Sequence, residues 1–436
     1  MTTGPLDLES IIDSLQLTRF QIVIVALCMM VAMVDGFDTQ AIALAAPEIA
    51  ASWGVTPSSL GLVFGAGLLG SLLGAMLFGS AGDRFGRKPA LLAAVLLFAA
   101  ISLLTPLTST AFALMLVRLI TGLGLGGALP CLISITSEYA PKRLRATLVS
   151  VMFCGFPLGA VAGGLAAAHM IPAWGWPSLF YAGAAIPLLL LPLLAAVVPE
   201  SARFLALRGK TATVHRLLER MRSPERWDGK LNRAPADARS PVSRLLSGDR
   251  RDGTLLLWAT LFLSLLLTYF LINWIPILAR QSGIGIRAAV LAVSALNLGA
   301  VVGCLLIGRL VDRFGPTRPI AAGFGCGALS ITLIGVWGST DAALLGLAFL
   351  SGVFSIGAQM CTVTLCASFY ETELRATGVG WALGIGRIGA VVGPVLGGLL
   401  LASGVPVEGL FLMVGLMSVI AGSAMLALRG AAQRRA

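Results

Sequence analysis

The sequence is poor in charge. Only 12% of its 436 residues are Asp, Glu, Lys or Arg, about half the share found in soluble domains. It holds two histidines, and its seven cysteines form no Cys-x-x-Cys pair, so no side-chain set suits a metal or haem site. These shortages exclude a soluble metalloprotein and indicate that much of the chain is solvated by lipid.

Apolar residues make up 57% of the chain and gather in runs of the roughly 20 residues that a spanning helix needs. The runs are continuously apolar and lack the alternation of barrel strands, so we expect helices. The predicted spans are 19–41, 58–81, 89–107, 112–136, 146–170, 176–198, 254–279, 287–310, 318–337, 341–367, 376–401 and 406–428.

The basic residues are distributed unevenly between the two membrane faces. Of the 31 Lys and Arg, 27 fall on one predicted face, Arg280 and Arg287 on the other, and Arg118 and Arg387 inside helices. Cytoplasmic loops carry an excess of Lys and Arg, so we expect a multi-pass inner-membrane protein with both termini cytoplasmic. The net charge of +11 therefore reflects topology rather than nucleic-acid binding.

The two halves of the chain repeat each other. Gly79-x-x-x-Asp-Arg-Phe-Gly86 returns as Gly308-x-x-x-Asp-Arg-Phe-Gly315, and Arg145-Ala-Thr returns as Arg375-Ala-Thr. Duplicated halves are typical of one transporter architecture. We predict a six-helix bundle at 1–198, a cytoplasmic linker at 199–253 and a second bundle at 254–436. Residues 213–222 of the linker could form a short amphipathic helix, and a tethering loop is the preferred interpretation.

The loop after the second predicted span is a charged turn, Asp83-Arg84-Phe85-Gly86-Arg87-Lys88. Gly86 permits a tight turn, and Asp83 can accept bonds from a helix end or pair with a base of another helix. We predict a latch that holds one conformation; charge that merely sets topology is the alternative. The residues assigned to it are Asp83, Arg84, Gly86, Arg87, Lys88, Glu138, Arg145, Asp312 and Arg313.

Four charged residues lie well inside predicted spans: Asp35, Asp38, Arg118 and Arg387. Each costs about 2.5–3.5 kcal/mol there on insertion scales, which makes it a functional candidate. Asp35 and Asp38 share one helix face and are predicted to load and unload a proton. The alternative is that one of them caps a helix break beside Gly36.

Arg118 and Arg387 offer planar donor forks suited to a carboxylate. One can neutralise an aspartate while the other holds a substrate anion, and the sequence leaves open which does which. Phe37, Asn273 and Trp274 are further candidates for the substrate site, with helix packing as the alternative for each aromatic ring.

Asp35-Gly-Phe-Asp38, the turn at 83–88 and Arg375-Ala-Thr-Gly-Val-Gly-Trp381 together resemble the major facilitator superfamily and, within it, the aromatic acid:proton symporter family. The resemblance implies an all-α membrane fold of twelve helices in two pseudo-symmetric bundles. It also implies that a monomer takes up benzoate-like or hydroxybenzoate-like acids, with the proton as coupling ion and no cofactor, and that Asp35 and Asp38 are required. Ala202 departs from the proline common in related facilitators.

Two other functions remain open at this point. A proton-driven efflux antiporter typically carries Gly-Pro-x-x-Gly-Gly in its fifth helix, whereas this chain has that pattern at Gly393–Gly398, in the eleventh. A membrane enzyme or sensor would need a nucleotide loop or a nucleophile triad. The glycines at 122, 124 and 126 follow no strand and so do not form a dinucleotide loop.

Overall fold

A computed structural model describes residues 8–221, 245–246, 250–370 and 372–433. Within them, twelve helices are long and apolar enough to cross a membrane, which confirms the predicted count. Spans 1 to 12 are, in order, Arg19–Trp53, Pro57–Phe85, Arg87–Leu107, Ala111–Tyr139, Lys142–Trp174, Pro177–Val197, Arg251–Gln281, Ile286–Phe314, Thr317–Trp337, Asp341–Cys366, Thr377–Ala402 and Val407–Leu428.

Threonines start several of these helices. The Thr18 hydroxyl accepts a bond from the Gln21 backbone N–H, and the Gln21 side-chain oxygen accepts a bond from the Thr18 backbone N–H, which makes a capping box. Thr56, Thr110 and Thr340 cap spans 2, 4 and 10 in the simpler way. Such caps satisfy N–H groups that the first helical turn leaves without partners.

Span 1 extends well past its predicted end. It continues through Pro47 to Trp53 and stops at Gly54, whose φ of 64° is left-handed, because the stretch from 41 to 47 is buried in the protein and stays helical. The helix is also unbroken at Gly36. The alternative in which an aspartate caps a break there is therefore wrong.

The predicted linker begins as structure rather than as a loop. Helices Ala202–Leu207 and Thr211–Arg220 follow span 6, and the buried face of the second holds Val214, Leu217 and Leu218. These side chains join the core of the first half together with the N-terminal helix Leu8–Ser14. The preferred interpretation of this part as a loop is therefore wrong. Apolar residues spaced three and four apart form a helix here, although the segment as a whole is polar. Residues 222–244 and 247–249 of the predicted linker lie outside the described residues.

Glycines let helices within a half approach very closely. A Cβ at Gly122 would meet the Gly67 carbonyl of span 2, and one at Gly126 would meet the Ser71 carbonyl. In the same way, a Cβ at Gly36 would meet the backbone of span 5 at Phe156. Small residues at helix contacts replace the hydrophobic drive that lipid cannot supply, so each half is tightly packed.

Close glycine contacts between the halves lie toward one membrane face. We call the face with the 83–88 turn the basic face and the other the far face. Toward the far face, Gly61 and Gly65 of span 2 pack on span 11, and Gly164 of span 5 packs on span 8. Toward the basic face, Gly380 and Gly384 of span 11 have nothing within 4 Å of an added Cβ among the described residues. The tightest packing between the halves at these glycines is therefore toward the far face.

The glycine contacts give a paired stability prediction. Gly126→Ala should destabilise the protein by about 1–3 kcal/mol, since the added methyl overpacks span 2. Gly346→Ala, in the helix Asp341–Ser351, adds the same methyl into open space and should be neutral or up to about 1 kcal/mol stabilising. Unfolding followed in detergent micelles measures both. Equal effects would contradict close packing at Gly126.

Candidate functional site

Asp38 and Arg118 form an ion pair buried inside the first half. Arg118 Nη1 lies 3.3 Å from Asp38 Oδ2, with side-chain exposures of 3% and 0%. Ser102 Oγ donates to Asp38 Oδ1 at 2.6 Å, and Arg118 Nη2 donates to Thr105 Oγ1 at 3.2 Å. The guanidinium also lies over the Phe180 ring at 5.1 Å. Every one of these partners belongs to spans 1, 3, 4 and 6.

This network decides the question that the sequence left open. Arg118 neutralises Asp38, and its terminal nitrogens are directed into the first half, so it is not available to a substrate between the halves. The prediction of Arg118 as a substrate contact is therefore not met in this structure. A buried charge is tolerated when it is paired and hydrogen-bonded, and Ser102 and Thr105 add bonds to this pair, although Arg118 Nε is buried without a hydrogen-bond partner among the described residues.

Asp35 faces the other way, toward the second half. Its Oδ1 accepts a bond from the Thr39 hydroxyl at 3.1 Å. Arg387 of span 11 and Tyr269 of span 7 both lie within electrostatic range of this carboxylate. The step of three residues along span 1 thus gives the two aspartates different neighbours, where the sequence predicted one shared face.

Arg387 is the second intramembrane arginine, and it lies at the surface between the halves. Its Nη1 donates to Ser71 Oγ of span 2 at 3.2 Å, and its side chain is half-buried. None of the three ion pairs among the described residues includes it. A guanidinium that is half-buried between the halves and outside these ion pairs can receive a carboxylate in bidentate geometry.

The other residues predicted to contact the substrate, Asn273, Trp274 and Phe37, have different surroundings. Asn273 lies one turn after Tyr269 and donates from Nδ2 to the Tyr269 carbonyl at 2.7 Å, which places it close to this surface. Trp274 has no exposed area, and its indole N–H donates to the Pro394 carbonyl at 3.0 Å. Phe37 packs against Gly163 and Gly183 inside the first half. Both rings fill contacts between helices, and the Trp274 ring also meets the Phe64 ring of span 2.

Glu200 organises the basic face of the first half. Its Oε1 accepts bonds from the backbone N–H groups of Arg87 at 2.7 Å and Lys88 at 3.2 Å, the first residues of span 3. A carboxylate at a helix N-terminus is stabilised both by these donors and by the helix dipole. Gly86, at a φ of 113°, ends span 2 there, and a Cβ on it would collide with the Glu200 carboxylate.

The predicted latch residues make these contacts within their own half. Asp83 pairs with Arg87, Glu138 Oε2 accepts from Ser201 Oγ at 2.6 Å, and Arg145 pairs with Asp13 at 3.1 Å. Further contacts are Lys88 Nζ to the Ala195 carbonyl, Arg208 to the Arg84 carbonyl and Arg313 over the Phe314 ring. Asp312 is exposed. A latch that holds one conformation stays a prediction.

Several residues of these networks were missed in the sequence. Ser71, Ser102 and Thr105 were missed because a hydroxyl inside a span stands out far less than a charge, and these three hydroxyls bond to the intramembrane charges. Glu200 was also missed, because only Ala202 was considered in its segment, as a departure from the proline of related facilitators. Among the described residues, no group of three or more His, Cys, Asp or Glu side chains could hold a metal ion.

Comparison with known proteins agrees with this architecture. The Major Facilitator Superfamily profile matches residues 28–330 and 257–435. A gallate transporter of Pseudomonas putida is 36% identical over 99% of this chain and 97% of its own length. The 4-hydroxybenzoate transporter PcaK of Acinetobacter baylyi is 38% identical over 91% of this chain and 89% of its own length. The solved xylose transporter XylE of E. coli, partially occluded and inward open, superposes with a TM-score of 0.73 at 20% identity, covering 94% of this chain and 98% of its own.

The buried ion pair yields a prediction on stability. Arg118→Met should cost about 3–5 kcal/mol, because it leaves the Asp38 carboxylate buried without a counter-charge. Adding Asp38→Asn to that variant should recover most of the loss. Arg145→Met breaks a partly exposed pair and should cost at most about 1 kcal/mol. Equilibrium unfolding in mixed micelles measures all three, and an Arg118→Met as mild as Arg145→Met would contradict the geometry.

A second prediction concerns Glu200. Glu200→Ala removes the acceptor for two backbone N–H groups and should destabilise the protein by about 1–3 kcal/mol. Glu200→Gln keeps an acceptor but loses the charge at the helix N-terminus, at a cost of about 0.3–1 kcal/mol. Glu219→Ala, on the exposed face of the helix Thr211–Arg220, is the control and should be close to neutral. In micelle unfolding, the loss of stability should be largest for Glu200→Ala, smaller for Glu200→Gln and smallest for the Glu219→Ala control.

Proposed function

The chain belongs to the Major Facilitator Superfamily, and from that premise we propose that it imports small aromatic carboxylates together with protons. The observation that carries the proposal is Arg387, half-buried between the halves beside Asp35 and outside the ion pairs of the described residues. Relatives aligned over most of their length are named as transporters of gallate, 4-hydroxybenzoate and benzoate.

Arg387 is the proposed anchor of the substrate carboxylate. Of the two intramembrane arginines, Arg118 is occupied by Asp38, whereas the Ser71 hydroxyl bonded to Arg387 is neutral and easily replaced. Tyr269 and Asn273 lie on the adjoining surface of span 7 and can contact the polar groups or the ring of the acid. These three residues belong to the second half, and Ser71 of the first half, which Arg387 bonds, lies across from them.

Asp35 is the proposed proton carrier. It lies beside the substrate anchor, whereas Asp38 is held by Arg118 and Ser102. A benzoate-like acid is ionised at neutral pH, and an inside-negative potential opposes its uptake by about 2.3 kcal/mol per 100 mV. One co-transported proton cancels that opposition and adds the pH gradient. A carboxylate close to the guanidinium can exchange its proton as the anion arrives and leaves.

The proposed orientation follows from charge. The basic face carries the 83–88 turn and the helices after span 6, and the excess of Lys and Arg lies on it. Cytoplasmic loops show this bias, so the basic face is assigned to the cytoplasm of a cell with an inner membrane. The close glycine contacts between the halves then lie toward the outside.

The test is uptake of labelled 4-hydroxybenzoate into proteoliposomes with an imposed pH gradient, with benzoate, gallate and an aliphatic acid as competitors. Arg387→Gln should weaken substrate binding about 10- to 150-fold, the range for a lost hydrogen bond to a charged group. Arg280→Gln is the control, since its guanidinium bonds the Ile284 carbonyl near the far face. Asp35→Asn should retain exchange but lose accumulation driven by the gradient.

Three results would contradict the proposal. Normal affinity in Arg387→Gln would remove the anchor. Gradient-driven accumulation by Asp35→Asn would place the proton elsewhere. Competition by aliphatic acids as strong as by aromatic acids would exclude the substrate class.

A further inference from the structure

We propose that Gln40 and Asn297 form an amide lock that holds the transport path closed at the far face. The lock rests on the alternating-access transport proposed above. It adds a pair of uncharged side chains whose joining and separation set the balance between the two conformations.

The lock is a reciprocal pair of hydrogen bonds between the halves. Gln40 Nε2 donates to Asn297 Oδ1 at 3.2 Å, and Asn297 Nδ2 donates to Gln40 Oε1 at 3.0 Å. Gln40 lies on span 1 and Asn297 on span 8, with exposures of 0% and 5%. Asn297 Nδ2 also donates to the Val293 carbonyl of its own helix at 2.8 Å, which fixes its orientation.

A neighbouring bond reinforces the pair. Ser294, one turn before Asn297 on span 8, donates from Oγ to the Val161 carbonyl of span 5 at 3.2 Å. Gly164 makes room for it, since a Cβ there would collide with Ser294 Oγ. The same face of span 8 therefore binds spans 1 and 5 of the first half.

The other contact near the far face is of a different kind. Spans 2 and 11 meet there through Gly61, Pro394, Val395 and Gly398, whose packing is apolar or between backbones. Such surfaces can part without leaving a side-chain polar group in need of a partner. Amide groups inside a membrane protein need a partner or water. The far face can therefore close without penalty only when Gln40 and Asn297 meet in the hydrogen-bonded geometry.

The direction of the effect follows from the environment in each state. With the far face closed, both amides are buried and satisfy each other. With it open, water can reach and solvate both. Replacing one amide by an apolar side chain leaves the other buried without its partner only in the closed state. Single replacements should therefore shift the protein toward the state that is open at the far face.

The experiment measures that shift without substrate or a pH gradient. Spin labels at Ser52→Cys, near the end of span 1, and Ser403→Cys, between spans 11 and 12, report the separation of the halves at the far face; both positions are exposed. The background carries alanine at Cys154, Cys304 and Cys326, the cysteines that are not buried. Pulsed electron resonance on the full-length protein in nanodiscs gives the fraction with the long distance.

Gln40→Leu and Asn297→Leu should each raise the open fraction about three- to tenfold. The double swap Gln40→Asn/Asn297→Gln keeps the combined side-chain length and both amides, and it should restore the wild-type fraction to within about twofold. Ser418→Ala removes a buried bond to the Phe324 carbonyl within the second half and should leave the fraction unchanged. If a leucine variant does not fold, Gln40→Glu, which keeps the shape but loses the amide donor, takes its place.

Two results would overturn the lock. Open fractions in the single variants equal to that of Ser418→Ala would show that the pair carries no weight in the equilibrium. If the double swap raises the open fraction as much as the single variants do, the effect comes from packing rather than from the paired amides. Failure of the aromatic-acid or proton assays leaves these distances unaffected, so the two proposals fail separately.

Discussion

The cost of placing charge in lipid governs this structure. Four charged side chains lie well inside the predicted spans, and each has to find partners that hydrocarbon cannot supply. Asp38 and Arg118 pair with each other and take further bonds from Ser102 and Thr105. Because this pair lies within the first half, Asp35 and Arg387 are left to interact at the surface between the halves. The proposed transport chemistry depends on that division.

The two halves repeat in sequence yet differ in role. The first half is closed on the basic face by the helix Leu8–Ser14, by the helices after span 6 and by Glu200 at the start of span 3. At the repeated turn of the second half, Asp312 and Arg313 are exposed. The first half therefore carries additional structure at the basic face, and the second half supplies Arg387 and Asn297 to the contacts between the halves.

Helix contacts within and between the halves are built differently. Within a half, glycines such as Gly122 and Gly126 bring backbones together, and separating them would forfeit contacts along whole helices. Between the halves, the polar contacts found among the described residues are specific: Gln40 with Asn297, Ser294 with the Val161 carbonyl, and Arg387 with Ser71. Rigid halves joined by a few breakable bonds suit a protein that alternates between two conformations.

The sequence alone determined the twelve spans, the repeat and the four intramembrane charges. Hydropathy and charge belong to each residue by itself, so transfer into lipid can be judged without knowing how the helices pack. It also placed Arg387 among the candidates. Only the tertiary structure decided that Arg118 pairs with Asp38, that Trp274 and Phe37 fill helix contacts, and that Gln40 meets Asn297. Those outcomes depend on how each helix is rotated and on which helix packs beside it. An apolar sequence carries little information about rotation, since lipid and protein interior favour the same side chains.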